Sequence, residues 1–262
     1  MPSASFGIPT VRPASGSRVE RIRLDASEIP ALFARLVAAE LAACIERDGS
    51  ATLCVSFAEP LRSPLRTLAR LDSVPFCLVS LYFGDNRGAA NDAPGSTSRS
   101  VIESFAEPAG IPESNWHVPR STLSDFRQAV QEYEASLPPT FDVLVLSAGP
   151  DGRVAGLLPH SPALRDHDRR VAVLSEAPPP GQYTLTGRAI VEARCTIVLA
   201  TGLETARAVA EALEGTTDPE RCPARLARNA VWLMDHEAAS ALTGSWPDDS
   251  GAELPSERPN TR

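Results

Sequence analysis

The chain has 262 residues, 43% of them hydrophobic, with 25 basic against 33 acidic side chains and a formal net charge of −8. That length buries one large core or two small ones, and the apolar share fits a folded protein, not a disordered one. The acidic balance argues against general nucleic-acid binding, which needs a basic surface, yet leaves room for a local basic pocket. Residues 1–18, rich in Ser, Pro and Gly, lack the apolar stretch of a secretory signal and read as a disordered leader, with an organellar transit segment as the alternative. Val19 to Leu24 alternates like a strand. Ala26 to Arg47 carries Ile29, Leu32, Leu36, Leu41 and Ile45 at helical spacing, with Asp25 or Ser27 placed to start the helix. Ala51 to Phe57 is a buried strand, Ser63 to Leu71 a short helix, and Phe76 to Phe83 a nearly all-apolar strand. Helices follow over Ser98 to Ala106 and Leu123 to Leu137, then a strand over Phe141 to Leu146 and another over Val171 to Leu174. Gly187 to Glu192 makes a helical turn, Cys195 to Ala200 a strand and Glu204 to Leu213 a helix. Ala230 to Leu233 is a last strand, with a helix over Asp235 to Leu242. Residues 245–262 are polar and proline-rich and read as a disordered tail, which leaves 19–244 as the single folded domain.

Apolar strands spaced by amphipathic helices predict an α/β fold, a mostly parallel sheet with helices on both faces. Such folds keep their chemistry at the carboxyl ends of the strands. Four ends are therefore of interest, from Phe57, Asp85, Ser147 and Thr201 onward. All 25 basic residues are arginine, so no lysine is available to form a Schiff base or hold a phosphate. Cys44, Cys54, Cys77, Cys195 and Cys222 stand singly and read as free thiols in a reducing compartment, hence a cytoplasmic chain. No window approaches ~18 uninterrupted apolar residues, so no membrane span is expected. No His/Cys/Asp spacing supports a metal, and Gly149-x-x-Gly152 is neither a dinucleotide nor a Walker fingerprint, so no cofactor is expected.

The four ends, taken in order, resemble the 6-phosphogluconolactonase family, whose relatives include glucosamine-6-phosphate deaminases. The family pattern Gly-x-Gly-x-Asp-Gly-His-x-Ala-x-Leu-Phe-Pro-Gly-Ser-Pro is matched at Gly149, Asp151, Gly152, Ala155, Leu157, Pro159, Ser161 and Pro162. The Leu157-Leu158-Pro159 ending is similar to the lactonase branch. Asp85-Asn86-Arg87 matches Asp-Glu-Arg, and Pro94-Gly95-Ser96-Thr97-Ser98-Arg99 matches Pro-Asp-Ser-Asn-x-Arg. Tyr183-Thr184-Leu185-Thr186 and Trp232-Leu233-Met234-Asp235 match two later motifs, and the whole spans roughly residues 20 to 242. The resemblance implies hydrolysis of 6-phosphogluconolactone to 6-phosphogluconate in the pentose phosphate pathway. In this reaction a near-neutral imidazole activates water at the lactone carbonyl.

The imidazole position of that pattern is Arg153. A guanidinium stays protonated and cannot accept the proton. It is read as a phosphate or oxyanion contact, or as a solvent-facing residue at a helix start. The family's glycine-rich phosphate loop is replaced by Ser56-Phe57-Ala58-Glu59-Pro60-Leu61-Arg62-Ser63-Pro64, where only Ser63-Pro64 persists and Arg62 is placed to compensate. A proline has no amide to offer and Glu59 repels an anion. Asn86, Thr97, Gln182 and Thr205 stand where the family has Glu, Asn, Arg and Lys.

The candidate site residues are therefore Asp85, His160 and Asp151 for catalysis, and Arg87, Arg153, Arg62 and Ser63 for the substrate phosphate. His160 is a substitute base or an exposed loop residue. Asp85 and Arg87 act on substrate or form an ion pair that pins their loop. Asp151 caps the helix that follows it. His117 reads as structural and His167 as a surface residue. Two functions stay open: a relative with impaired or lost activity that serves as a binding or regulatory module with a protein partner, or a working lactonase with a sugar-phosphate substrate.

Overall fold

A computed structural model describes residues 20–87, 96–119, 126–174 and 181–244; the expected leader and tail lie outside these, as do Val19 and Leu123. Two sheets form. The larger has seven strands, all parallel: β1 (Glu20–Leu24), β2 (Ala51–Val55), β3 (Val79–Phe83), β5 (Trp116–His117), β6 (Val143–Ser147), β9 (Cys195–Ala200) and β10 (Val231–Asp235), in the order β1-β10-β9-β6-β2-β3-β5. The smaller is antiparallel, in the order β4 (Asp85–Arg87), β8 (Gln182–Leu185), β7 (Val171–Leu174).

Alternation along each strand divides the core into two layers. Leu53, Val55, Leu81, Phe83, Val143, Val145, Ile197 and Leu199 point to one face, against α1 (Ile29–Asp48), α2 (Arg62–Leu68) and α3 (Thr97–Val101). Cys54, Tyr82, Leu144, Leu146, Val198, Ala200, Trp232 and Met234 point to the other, against α4 (Phe126–Ala135), α5 (Gly187–Glu192), α6 (Ala206–Leu213) and the small sheet. A strand buried on both faces needs apolar residues at every position, which is why these stretches read as unbroken hydrophobic runs. The α/β class and the helices on both faces are as expected.

Several boundaries differ for local reasons. α1 starts at Ile29 with Pro30 in its first turn, and neither Asp25 nor Ser27 caps it; Glu28 precedes it without a side-chain cap. It ends at Gly49, whose φ of 78° suits a residue without Cβ, and whose amide donates to the Ile45 carbonyl. Phe76–Leu78 is a 3-10 turn, not strand. Ile102–Ala106 continues α3 as a π-helical turn. The helix expected over Asp235 to Leu242 does not form. Instead β10 extends to Asp235, paired with Leu24 of β1, and the Asp235 carboxylate accepts the Ala238 amide, so the chain leaves in successive tight turns. Val171–Leu174 is a strand, but of the small sheet and not of the parallel one.

Edges are closed by side chains as well as by strands. β5 reaches only to His117, which leaves the Phe83 backbone facing α4. The Tyr133 hydroxyl takes the Phe83 amide at 3.0 Å and lies 2.9 Å from its carbonyl, and Tyr183 approaches the same carbonyl at 3.3 Å. The His117 ring stacks on Tyr82 at 4.3 Å, and burial pushes its pKa down. Among the described residues no helix is long and apolar enough to cross a membrane.

Candidate functional site

The chain runs outward from β2 through β3 to β5, then returns to β6 and continues through β9 and β10 the other way. The reversal falls between β2 and β6. Parallel sheets bind ligands beyond the carboxyl ends of strands at such a point, because the connecting loops diverge there and leave a crevice. Ser56 follows β2, Asp85 follows β3, the loop of residues 148–157 follows β6, and Thr201 and Gly202 follow β9.

Ser56 and Asp85 form the innermost pair. The Ser56 amide donates to Val145 and the Gly84 amide to Val55, which draws the ends of β2, β3 and β6 together. A Cβ on Gly84 would lie 3.0 Å from the Ser56 Cβ, so this approach depends on glycine. The Ser56 hydroxyl then donates to the Asp85 carboxylate, both side chains being buried. Burial, and next the Asp85 charge, push the Cys54 thiol and the Tyr183 phenol well above their ordinary values.

Asn86 serves the fold. Its side-chain oxygen accepts the Thr97 amide at 3.0 Å and the Ser96 hydroxyl at 3.0 Å, and the Thr97 hydroxyl lies 2.8 Å from the Asp85 carbonyl. Ser96 in turn caps α3. One buried amide thus pegs the start of α3 to β4.

The loop after β6 is a double turn, not a helix start. Gly149 and Arg153 bond across the first turn, where Gly152 has φ 79° and a Cβ would meet the Cys222 sulfur at 3.0 Å. A bridge between Val154 and Leu157 closes the second, with Ala155 at φ 52°. The Gly156 amide donates to the Thr184 hydroxyl at 3.0 Å, and a Cβ there would lie 3.1 Å from the Gln182 amide, so the loop rests against β8. Asp151 accordingly caps no helix, and Arg153 does not stand at a helix start. The two pair with each other instead. Arg153 Nε is 2.9 Å and 3.0 Å from the two Asp151 oxygens, the second nitrogen reaches Oδ2 at 2.8 Å, and the Arg153 amide adds 3.1 Å. Partial burial pushes the Asp151 carboxyl up, but these bonds to Arg153 outweigh it, and its pKa lies below the ordinary carboxylate value.

Arg62 repeats the arrangement. Its guanidinium binds both Glu59 oxygens, at 2.7 Å and 3.0 Å, and lies over the Phe57 ring. This bond holds the Glu59 carboxyl low. Ser63 is exposed inside α2, its carbonyl taking the Thr67 hydroxyl. Thr205 is buried, with its hydroxyl 2.8 Å from the Gly202 carbonyl and 3.2 Å from that of Thr201. The Gly202 amide donates to Asp235, so this last turn too is tied to the fold.

His160 is exposed, in the left-handed region at φ 64°, and its amide donates to the Glu220 carbonyl at 2.7 Å. Glu220 is itself paired with Arg165, a bond that holds its carboxyl below the ordinary value. Arg87 pairs through its backbone with Gln182. His167 is exposed. The structure thus assembles Ser56, Asp85, Thr184, Gln182 and Gly156 through linked contacts, with the Arg153–Asp151 pair on the same loop. Ser56 and the Glu59–Arg62 bond had a sequence signal, a serine at a strand end and a Glu-x-x-Arg spacing. The pairing of Gln182 with β4 had none. Among the described residues no cluster of three or more His, Cys, Asp or Glu side chains could hold a metal.

The sequence profile described as glucosamine-6-phosphate isomerases/6-phosphogluconolactonase matches residues 24–234. The chain is 32% identical over 219 residues to the 6-phosphogluconolactonase of Streptomyces coelicolor, covering 76% of this chain and 80% of that one. It is 29% identical over 219 residues to that of Synechocystis sp., covering 79% and 90%. The solved 6-phosphogluconolactonase of Trypanosoma brucei has a TM-score of 0.73 at 21% identity, covering 87% of this chain and all of that one. A monomeric glucosamine-6-phosphate deaminase has a TM-score of 0.72 at 20% identity, covering 85% and 99%. At such identities the structures speak for the fold alone, and the fold is shared by both activities.

Proposed function

Because the chain belongs to the glucosamine-6-phosphate isomerase/6-phosphogluconolactonase family, we propose that it is a 6-phosphogluconolactonase-like protein in which lactone hydrolysis is impaired or lost. The lactonase side of the family is favoured by the names of the relatives near 30% identity. The observation that carries the loss is Arg153, a guanidinium in a bidentate bond with Asp151. Attack of water on a lactone carbonyl passes a proton to a base in the transition state, and a group that is never deprotonated cannot take it. Removing such a base costs about 10²–10⁴ in rate. Asn86, which stands where the family pattern has Glu, is an amide that cannot act as a base and is spent on anchoring Ser96 and Thr97.

The test is hydrolysis of 6-phosphogluconolactone by the purified chain, measured against the spontaneous reaction, with Arg153→His and His160→Ala beside it. Turnover near background, rising in Arg153→His, is expected. Turnover far above background that collapses in His160→Ala would replace this reading with a working lactonase whose base is His160.

A further inference from the structure

The site's two described arginines are both already neutralised, each by a carboxylate of its own short loop. Arg62 is bound to Glu59, three residues before it, and Arg153 to Asp151, two residues before it. On the described stretches 56–62, 148–157 and 201–205, Glu59, Asp151 and Glu204 stand against Arg62 and Arg153. The backbone offers an anion little more. Pro60 has no amide hydrogen, the Leu61 amide donates to Ala58, and the Gly202 amide is taken by Asp235. Thr205 spends its hydroxyl on the Gly202 and Thr201 carbonyls. A dianion entering here would displace a carboxylate from an arginine and then lie against it, at a few ångströms. Like charges at that range repel strongly.

What remains at these strand ends is hydrogen-bonding polarity: the Ser56 hydroxyl with Asp85, the half-buried Gln182 amide and the half-buried Thr201 hydroxyl. Carboxylates and amides paired with hydroxyls are the chemistry that holds a polyol. We infer that the site takes an uncharged polyhydroxylated ligand, an aldose or an unphosphorylated aldonolactone, and that Glu59 and Asp151 are built-in counter-ions that exclude its phosphate ester. This rests on the loss of phosphorylated-lactone hydrolysis proposed above and adds the ligand class.

The full chain is titrated calorimetrically at low salt with D-glucono-1,5-lactam, a stable neutral analogue of the lactone, and with the 6-phosphate ester of the same lactam. The neutral lactam binds about tenfold or more tightly than the ester. In a Glu59→Gln, Asp151→Asn double variant, shown by its unchanged melting temperature to be folded, the ester gains about tenfold while the lactam changes little. An ester that binds the wild type as tightly as the lactam, an ester that gains nothing in the double variant, or a wild type that binds neither would each overturn the inference. High turnover of the phosphorylated lactone strikes the proposed loss of activity; preferential binding of the ester without turnover strikes only the ligand class.

Discussion

The two ends of the parallel sheet use the same ion pair differently. At the amino end, Asp142 is almost fully buried and accepts the Thr52 amide at 2.9 Å and hydroxyl at 2.8 Å, while its other oxygen meets Arg194 at 2.8 Å. These bonds join residues 90 and 52 positions apart, tying β2 to the start of β6 and to the entry of β9. At the carboxyl end, Glu59–Arg62 and Asp151–Arg153 close within one turn of chain and are partly exposed. Long-range pairs fix the strands against each other. Short-range pairs do little for the fold and mainly set the local charge, because the chain entropy they save is small and water screens them.

The largest effect expected from this contrast is at Asp142. Asp142→Ala leaves the Thr52 amide without its side-chain acceptor and takes from Arg194 its 2.8 Å partner, and should cost about 2–4 kcal/mol in urea unfolding. A loss under about 1 kcal/mol would show that the two ends do not differ as argued. Next comes Tyr133→Phe, which removes the hydroxyl serving the Phe83 amide while the Tyr183 hydroxyl stays near the carbonyl; about 1–2 kcal/mol of stability should go, again read by urea. A smaller, pH-dependent effect belongs to His117. Its folded pKa is lowered by burial against Tyr82, so the unfolded chain binds the extra proton first. Stability is therefore full above the unfolded value near 6.5 and falls as pH drops through it toward the folded value. The melting temperature should decline between about pH 7.5 and 5.5, and the slope should flatten in His117→Phe. The smallest effect is at the carboxyl end itself. Glu59→Gln and Asp151→Asn should each change stability by no more than about 0.5 kcal/mol. A larger loss in either would make its pair a structural clamp and not a local neutraliser.

Much of the fold was legible in the chain. Val171–Leu174, Gly187–Glu192 and Cys195–Ala200 have the bounds expected from their pattern, because strands buried on two faces and short helices after a Thr-Gly break leave clear local marks. β4, β5 and β8 were not legible as strands, since two to four residues of mixed polarity have no period to read. The turn over Asp235 to Leu242 misled for a related reason. Its spacing suits a helix, but strand pairing through Leu24 and the carboxylate bond to Ala238 commit the backbone otherwise.

By itself the sequence determined the α/β class, the family and the arginine where the family has histidine. These depend on residue type, period and order, all carried locally. Only the tertiary structure decided what those residues contact: that Ser56 holds Asp85, that Asn86 is a peg for α3, and that Arg62 and Arg153 turn back on Glu59 and Asp151. A charged side chain can pair with its neighbour or with a ligand at nearly equal cost in water. Which of these it does is set by where the backbone of its loop is pinned: the Arg62 loop at β6, through the Ser56 amide and the Val145 carbonyl, and the Arg153 loop at β9 and β8, through Ala148 and Gly156.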